Sequence, residues 1–121
     1  MKKNVILEKS KQFALRIIKL YIYLRDEKRE VILSKQLLRS GTSIGANIRE
    51  AQRAQSDADF HAKLFISLKE ADESAYWLEL LHESAILTKE QFESMYDDCN
   101  ELIKLLVSIT RKKFTHNKCN S

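Results

Sequence analysis

Lys35-Gln36-Leu37-Leu38-Arg39-Ser40-Gly41-Thr42-Ser43-Ile44-Gly45-Ala46-Asn47-Ile48-Arg49-Glu50-Ala51 is the stretch on which the fold turns. Leu37, Gly41, Ile44 and Ile48 recur at steps of four, three and four, the spacing of one helix face. Two glycines in a helix interior cost about 1 kcal/mol each against alanine, so they need a reason. Gly41 and Gly45 stand four apart and strip side-chain bulk from one side, which lets a second helix approach closely. A phosphate loop is the other use of such glycines, but it needs free backbone N–H groups, and a helix interior has none to offer. No strand precedes the segment and no Lys-Ser/Thr pair ends it.

Outward from this helix the same period continues. A first helix is expected over about 6–26, with Ile6, Phe13, Ile17, Leu20 and Leu24 on one face. Asp26 to Glu30 forms a charged break, and the glycine-bearing helix is expected over 31–54 with Ser34 as a candidate cap. Ser56-Asp57-Ala58-Asp59 opens a third helix, 57–86, whose face runs Phe60, Leu64, Leu68, Ala71, Ala75, Leu78 and His82. Thr88-Lys89-Glu90-Gln91 has the form of a capping box and opens a fourth, 89–113, burying Phe92, Met95, Cys99, Leu102, Leu106 and Ile109. Four amphipathic helices with short links give an all-α, antiparallel up-down-up-down four-helix bundle. The 121 residues suit one domain, 1–121, with 114–121 as a flexible tail. There is no proline and there are only two glycines, which argues against turn-rich β-architecture.

Composition narrows the setting. No apolar run approaches the ~20 residues of a membrane span. Val5-Ile6-Leu7 is broken at once by Glu8 and Lys9, so no signal-peptide stretch is expected. Cys99 falls on an apolar face and Cys119 in a polar tail, which fits a reducing cytoplasm better than a disulfide. Charge is unevenly spread. Residues 1–55 carry 13 Lys/Arg and 5 Asp/Glu, net +8; residues 56–110 carry 4 and 12, net −8. Either the halves complement each other, within a bundle or between subunits, or the basic half meets a polyanion.

Two helices carry apolar residues off their core face. At 100° per residue, Leu7, Leu15, Ile18 and Ile22 lie well away from the main stripe of the first helix, and Ile66, Trp77 and Leu80 from that of the third. Scattered exposed apolar residues are ordinary; a stacked set is a subunit contact, so Leu15, Ile18, Ile22, Ile66, Trp77 and Leu80 are the expected homo-oligomer interface.

The Lys35–Ala51 run resembles the signature of a bacterial family of four-helix-bundle proteins, the 23S rRNA-intervening-sequence proteins. Phe60-His61-Ala62-Lys63-Leu64-Phe65-Ile66-Ser67-Leu68-Lys69-Glu70-Ala71 and Glu73-Ser74-Ala75-Tyr76-Trp77-Leu78 are similar to it as well, and the likeness covers about 5–112. The resemblance implies a bundle that assembles into a pentameric ring. It implies no catalytic residue. A related group, the accessory proteins of diversity-generating retroelements, is implied to bind nucleic acid and a reverse transcriptase; this chain is more similar to the first group.

On the second helix Lys35, Arg39, Arg49 and Arg53 fall within one arc of about 80°, opposite the apolar face. Such a stripe can follow a phosphate backbone of RNA or DNA, or it can be a solvated face paired with acidic neighbours. No motif for reading bases accompanies it. Glu79 and His82 have the Glu-x-x-His spacing of a di-iron bundle site, but no second pair exists, so no metal or cofactor is expected. Nothing supplies an oxyanion site for Cys99 with a histidine, and no enzyme chemistry or small-molecule substrate is expected.

Overall fold

The computed structural model describes residues 5–120, with side chains as far as Arg111. Four helices follow in order: α1 Val5–Asp26, α2 Ile32–Ala51, α3 Asp57–Glu83 and α4 Lys89–Asn120. Each packs on its neighbour in the chain, and a thinner seam between α4 and α1 closes the square. The chain is thus an all-α four-helix bundle. Its core is formed from the expected faces of α1, α2 and α4, with Phe13, Ile17 and Leu24, Leu37, Ile44 and Ile48, and Cys99, Leu102 and Leu106 all buried. On α3 Leu64, Ala71, Ala75 and Leu78 are buried as expected, but Leu81, off the expected line, is buried with them, while Phe60, Leu68 and His82 are only partly buried.

The helix ends explain the connections. Ser34 does not cap α2; it lies buried in the first turn and its hydroxyl donates to the Glu30 carbonyl at 2.8 Å. The Glu30 carboxylate does the capping, accepting from the N–H groups of Ile32, Leu33 and Ser34 at 3.1, 2.8 and 2.9 Å. A full negative charge at that end also suits the helix dipole. α2 ends at Ala51 and not Ala54, because the N–H groups of Gln52, Arg53 and Ala54 turn to the carbonyls three residues back. Ser56 then caps α3, accepting from Asp59 N at 3.0 Å, while Asp59 accepts from Gln55 N. That N–H, and Lys63 beside it, hold the Asp59 carboxyl below the usual aspartate range. α3 stops at Glu83, three residues before the expected end. Ala85 takes a left-handed φ of 66°, and the Ala85 and Ile86 N–H groups close back on His82 O and Leu81 O. Thr88 and Gln91 form the reciprocal box at α4, at 3.1 and 2.9 Å. α4 itself runs past the expected Lys113 to Asn120.

Candidate nucleic-acid interface

The glycines of α2 set how α1 and α2 meet. A Cβ on Gly41 would stand 2.9 Å from Ile17 Cγ1, and one on Gly45 would stand 3.2 Å from Ser10 Oγ. The other flank of α2 meets α3 through hydroxyls: Ser40 and Ser74 are hydrogen-bonded at 2.8 Å, and Ser67 donates to Ile44 O at 2.9 Å. Thr42 and Ser43 donate to Leu38 O and Arg39 O, and Asn47 donates to Ser43 O, all within α2 itself. These side chains are thus turned along the helix, and none of the three reaches across to a neighbour.

Of the basic stripe, Lys35, Arg49 and Arg53 are exposed and form no ion pair among the described residues. Arg39 is also exposed, but its guanidinium lies 3.6 Å from Glu73 of α3. Lys63 pairs with Asp59 inside α3, and Lys9 and Arg16 of α1 pair with Glu101 and Asp98 of α4. Arg16 also donates to Ser94 on that helix. The opposite charges of the two halves therefore meet along the thin α1–α4 seam, and only once along α2 and α3. Most of the α2 stripe stays unneutralised.

A cleft of about 350 Å³ opens between α1 and α2 beside this stripe. Ala14, Thr42, Gly45 and Ala46 supply small surfaces there, Lys11 and Arg49 flank it, and no acidic residue lines it. Lys11 was not singled out from the sequence, since a wheel drawn for one helix does not show what two helices bring together. A second cleft, between α1 and α4, holds both signs of charge: Arg16, Lys19 and Glu90.

The expected oligomer residues fall into two groups. Leu15, Ile18, Ile22 and Ile66 are 40–46% exposed. Trp77 and Leu80 are only partly exposed; Trp77 packs against the core, with its indole N–H 3.3 Å from Glu73. Ile32 and Tyr76, at 74% and 53% exposed, are more open than either group, and Phe65, at 45%, is as open as the first.

The groups considered for catalysis are engaged structurally. Glu79 accepts a 2.6 Å hydrogen bond from the Tyr96 hydroxyl, which with burial pushes that phenol up to about 12. The His82 ring stacks on Phe92 at 4.4 Å. Cys99 donates to Ala71 O, and burial pushes its thiol up to about 12, so it is not a thiolate at neutral pH. His61 is bonded to Asp57 O, and the side chains of His116 and Cys119 lie outside the described residues. Among the described residues no three His, Cys, Asp or Glu side chains gather as a metal-holding group. No helix among them is long and apolar enough to cross a membrane.

Comparison with known proteins places this geometry. A solved structure from Bacteroides thetaiotaomicron, a protein of unknown function from the S23 ribosomal protein family, is similar to the chain. The two share 57% identity over 88% of this chain and 98% of that one, with a TM-score of 0.87. No curated protein matches. The profile of the 23S rRNA-intervening sequence proteins matches residues 2–108, so the chain belongs to that family.

Proposed function

We propose that this protein is a non-enzymatic, cytoplasmic subunit that assembles with copies of itself and binds RNA through the α2 stripe. The observation that carries the reading is the exposure of Lys35, Arg49 and Arg53 without any intramolecular ion pair among the described residues, on a bundle whose other half holds most of the acid. Unpaired cations on one helix face attract phosphates, and the contact is sequence-tolerant and salt-sensitive because it releases counterions. Arg39 joins the stripe at the cost of its long contact with Glu73. A repeated stripe around an oligomer, pentameric as the family resemblance implies, multiplies weak contacts into useful affinity. Leu15, Ile18, Ile22 and Ile66 supply exposed apolar surface for that assembly.

The test is fluorescence anisotropy with a structured RNA at two salt concentrations, alongside light scattering for assembly. Binding is expected at low salt, steeply weaker at high salt, and lost in Arg39→Glu/Arg53→Glu. Absence of binding at low salt, or unchanged binding in that double variant, refutes the RNA role. The same exposed apolar residues favour a second reading, in which the assembly is a scaffold for a protein partner; an oligomer that ignores RNA at every salt concentration selects it.

A further inference from the structure

The cleft between α1 and α2 has features that the stripe alone does not explain. Two cations flank it from different helices, Lys11 from α1 and Arg49 from α2. Neither has an ion-pair partner among the described residues. Leu7 and Ser10 of α1 line one part of it, and the rest of the surface is made of small groups, with Gly45 lacking a Cβ and Ala14, Thr42 and Ala46 offering little bulk. No carboxylate lines the space, in contrast to the α1–α4 cleft, where Glu90 joins Arg16 and Lys19. A volume of about 350 Å³ is at the small end for an organic ligand site. A lysine as a point charge on one side and a guanidinium fork on the other is a suitable pair of donors for a phosphate oxygen.

We infer that this cleft seats a phosphodiester of a polynucleotide, with Lys11 and Arg49 gripping it from opposite sides. The backbone then crosses from α1 onto α2, with Arg53 and Lys35 meeting further phosphates on the same arc, and does not run along α2 alone. This deepens the RNA reading above and rests on it. Lys11 becomes a binding residue, and the small residues of the cleft become the reason a backbone can come close enough to be held.

The experiment titrates a labelled single-stranded RNA into wild type and three variants, each checked by circular dichroism. Lys11→Gln removes one of the two cations. Lys19→Gln makes the same change in net charge on α1, but in the α1–α4 cleft. Ala46→Gln fills the cleft from an exposed position without changing charge. Lys11→Gln and Ala46→Gln are expected to weaken binding about three- to tenfold at low salt, and Lys11→Gln to lower the slope of log K against log salt by about 0.7, one phosphate contact. Lys19→Gln is expected to stay within about twofold. Equal loss in Lys11→Gln and Lys19→Gln, or none in Lys11→Gln and Ala46→Gln, overturns the cleft while leaving the RNA reading intact. Wild type that binds no RNA removes both. Inorganic phosphate is expected to displace the RNA no better than chloride at equal ionic strength; displacement by phosphate alone at low concentration assigns the cleft to a free phosphate and overturns the polynucleotide.

Discussion

Gly41→Ala sets two known effects against each other at one position. Alanine in a helix interior is favoured over glycine by about 1 kcal/mol, so on propensity alone the change stabilises α2. The new Cβ, however, would stand 2.9 Å from Ile17 Cγ1, 3.1 Å from Cγ2 and 3.4 Å from Cβ. These are the branch point of a β-branched side chain and the two carbons fixed to it, not the flexible Cδ1 end, and Ile17 is 0% exposed, so it has no solvent to swing into. Overpacking a core by one methyl costs about 1–3 kcal/mol. The clash outweighs the propensity gain, and a net loss of about 1 kcal/mol is expected, a fall in Tm of roughly 3–5 °C at this chain length. Ile17→Ala alone should cost about 2–5 kcal/mol by leaving a cavity. In that background the clash is gone, and Gly41→Ala should now stabilise by about 1 kcal/mol or more. Urea unfolding of the four proteins closes the cycle. A Gly41→Ala effect of the same sign in both backgrounds refutes the reasoning, because it means that α1 does not rest on the missing side chain of Gly41.

Two further outcomes are expected. Ala85→Gly should raise stability by about 0.5–1 kcal/mol in thermal unfolding, since Ala85 holds φ at 66° in the C-terminal closure of α3, a position that glycine occupies without strain. Alkaline pH should destabilise the fold through Cys99 and Tyr96, whose groups are pushed up to about 12 from 9.0 and 10.0. The unfolded chain loses these protons from about pH 9–10 upward while the folded one keeps them until about 12, so stability falls across that window. Cys99→Ala should flatten the fall in a Tm series from pH 8 to 11, and an unchanged slope counts against burial as the cause.

The core faces were legible because burial follows the helical period, and the caps at Ser56 and Thr88 because a hydroxyl three residues before its partner leaves a pattern in sequence. The cap of α2 was not, because Glu30 works through a longer side chain, from outside the helix, onto three N–H groups. The stop of α3 was hidden for a related reason. Ala85 takes positive φ without being glycine, so nothing in composition marks it, whereas the end of α1 at Asp26 was marked by the charged run from Asp26 to Glu30. On α3 the wheel angle placed Trp77 off the core line, but an indole is large enough to lean back against the core from that angle and still reach Glu73. Angle alone separates small side chains into inner and outer; it does not do so for the largest.

The same limit bears on where partners are sought. Lys11, Leu15, Ile18 and Ile22 share an arc of about 60° on α1, taking 100° per residue. Along the axis they separate. Lys11 stands in the first half of α1, opposite Arg49 near the end of α2, while Leu15, Ile18 and Ile22 follow it toward Asp26. One side of the bundle therefore carries a basic cleft at one end and exposed apolar surface at the other. A phosphate backbone gains nothing from isoleucines, and a subunit contact gains little from unpaired cations in a solvated cleft. If both roles belong to this side, each has its own end, and substitutions at the two ends should separate them. Ile18→Glu is expected to weaken assembly measured by light scattering, and Lys11→Gln to leave assembly unchanged while weakening RNA. Loss of assembly in Lys11→Gln would show that the cleft is part of the subunit contact, and the division of this face would be wrong.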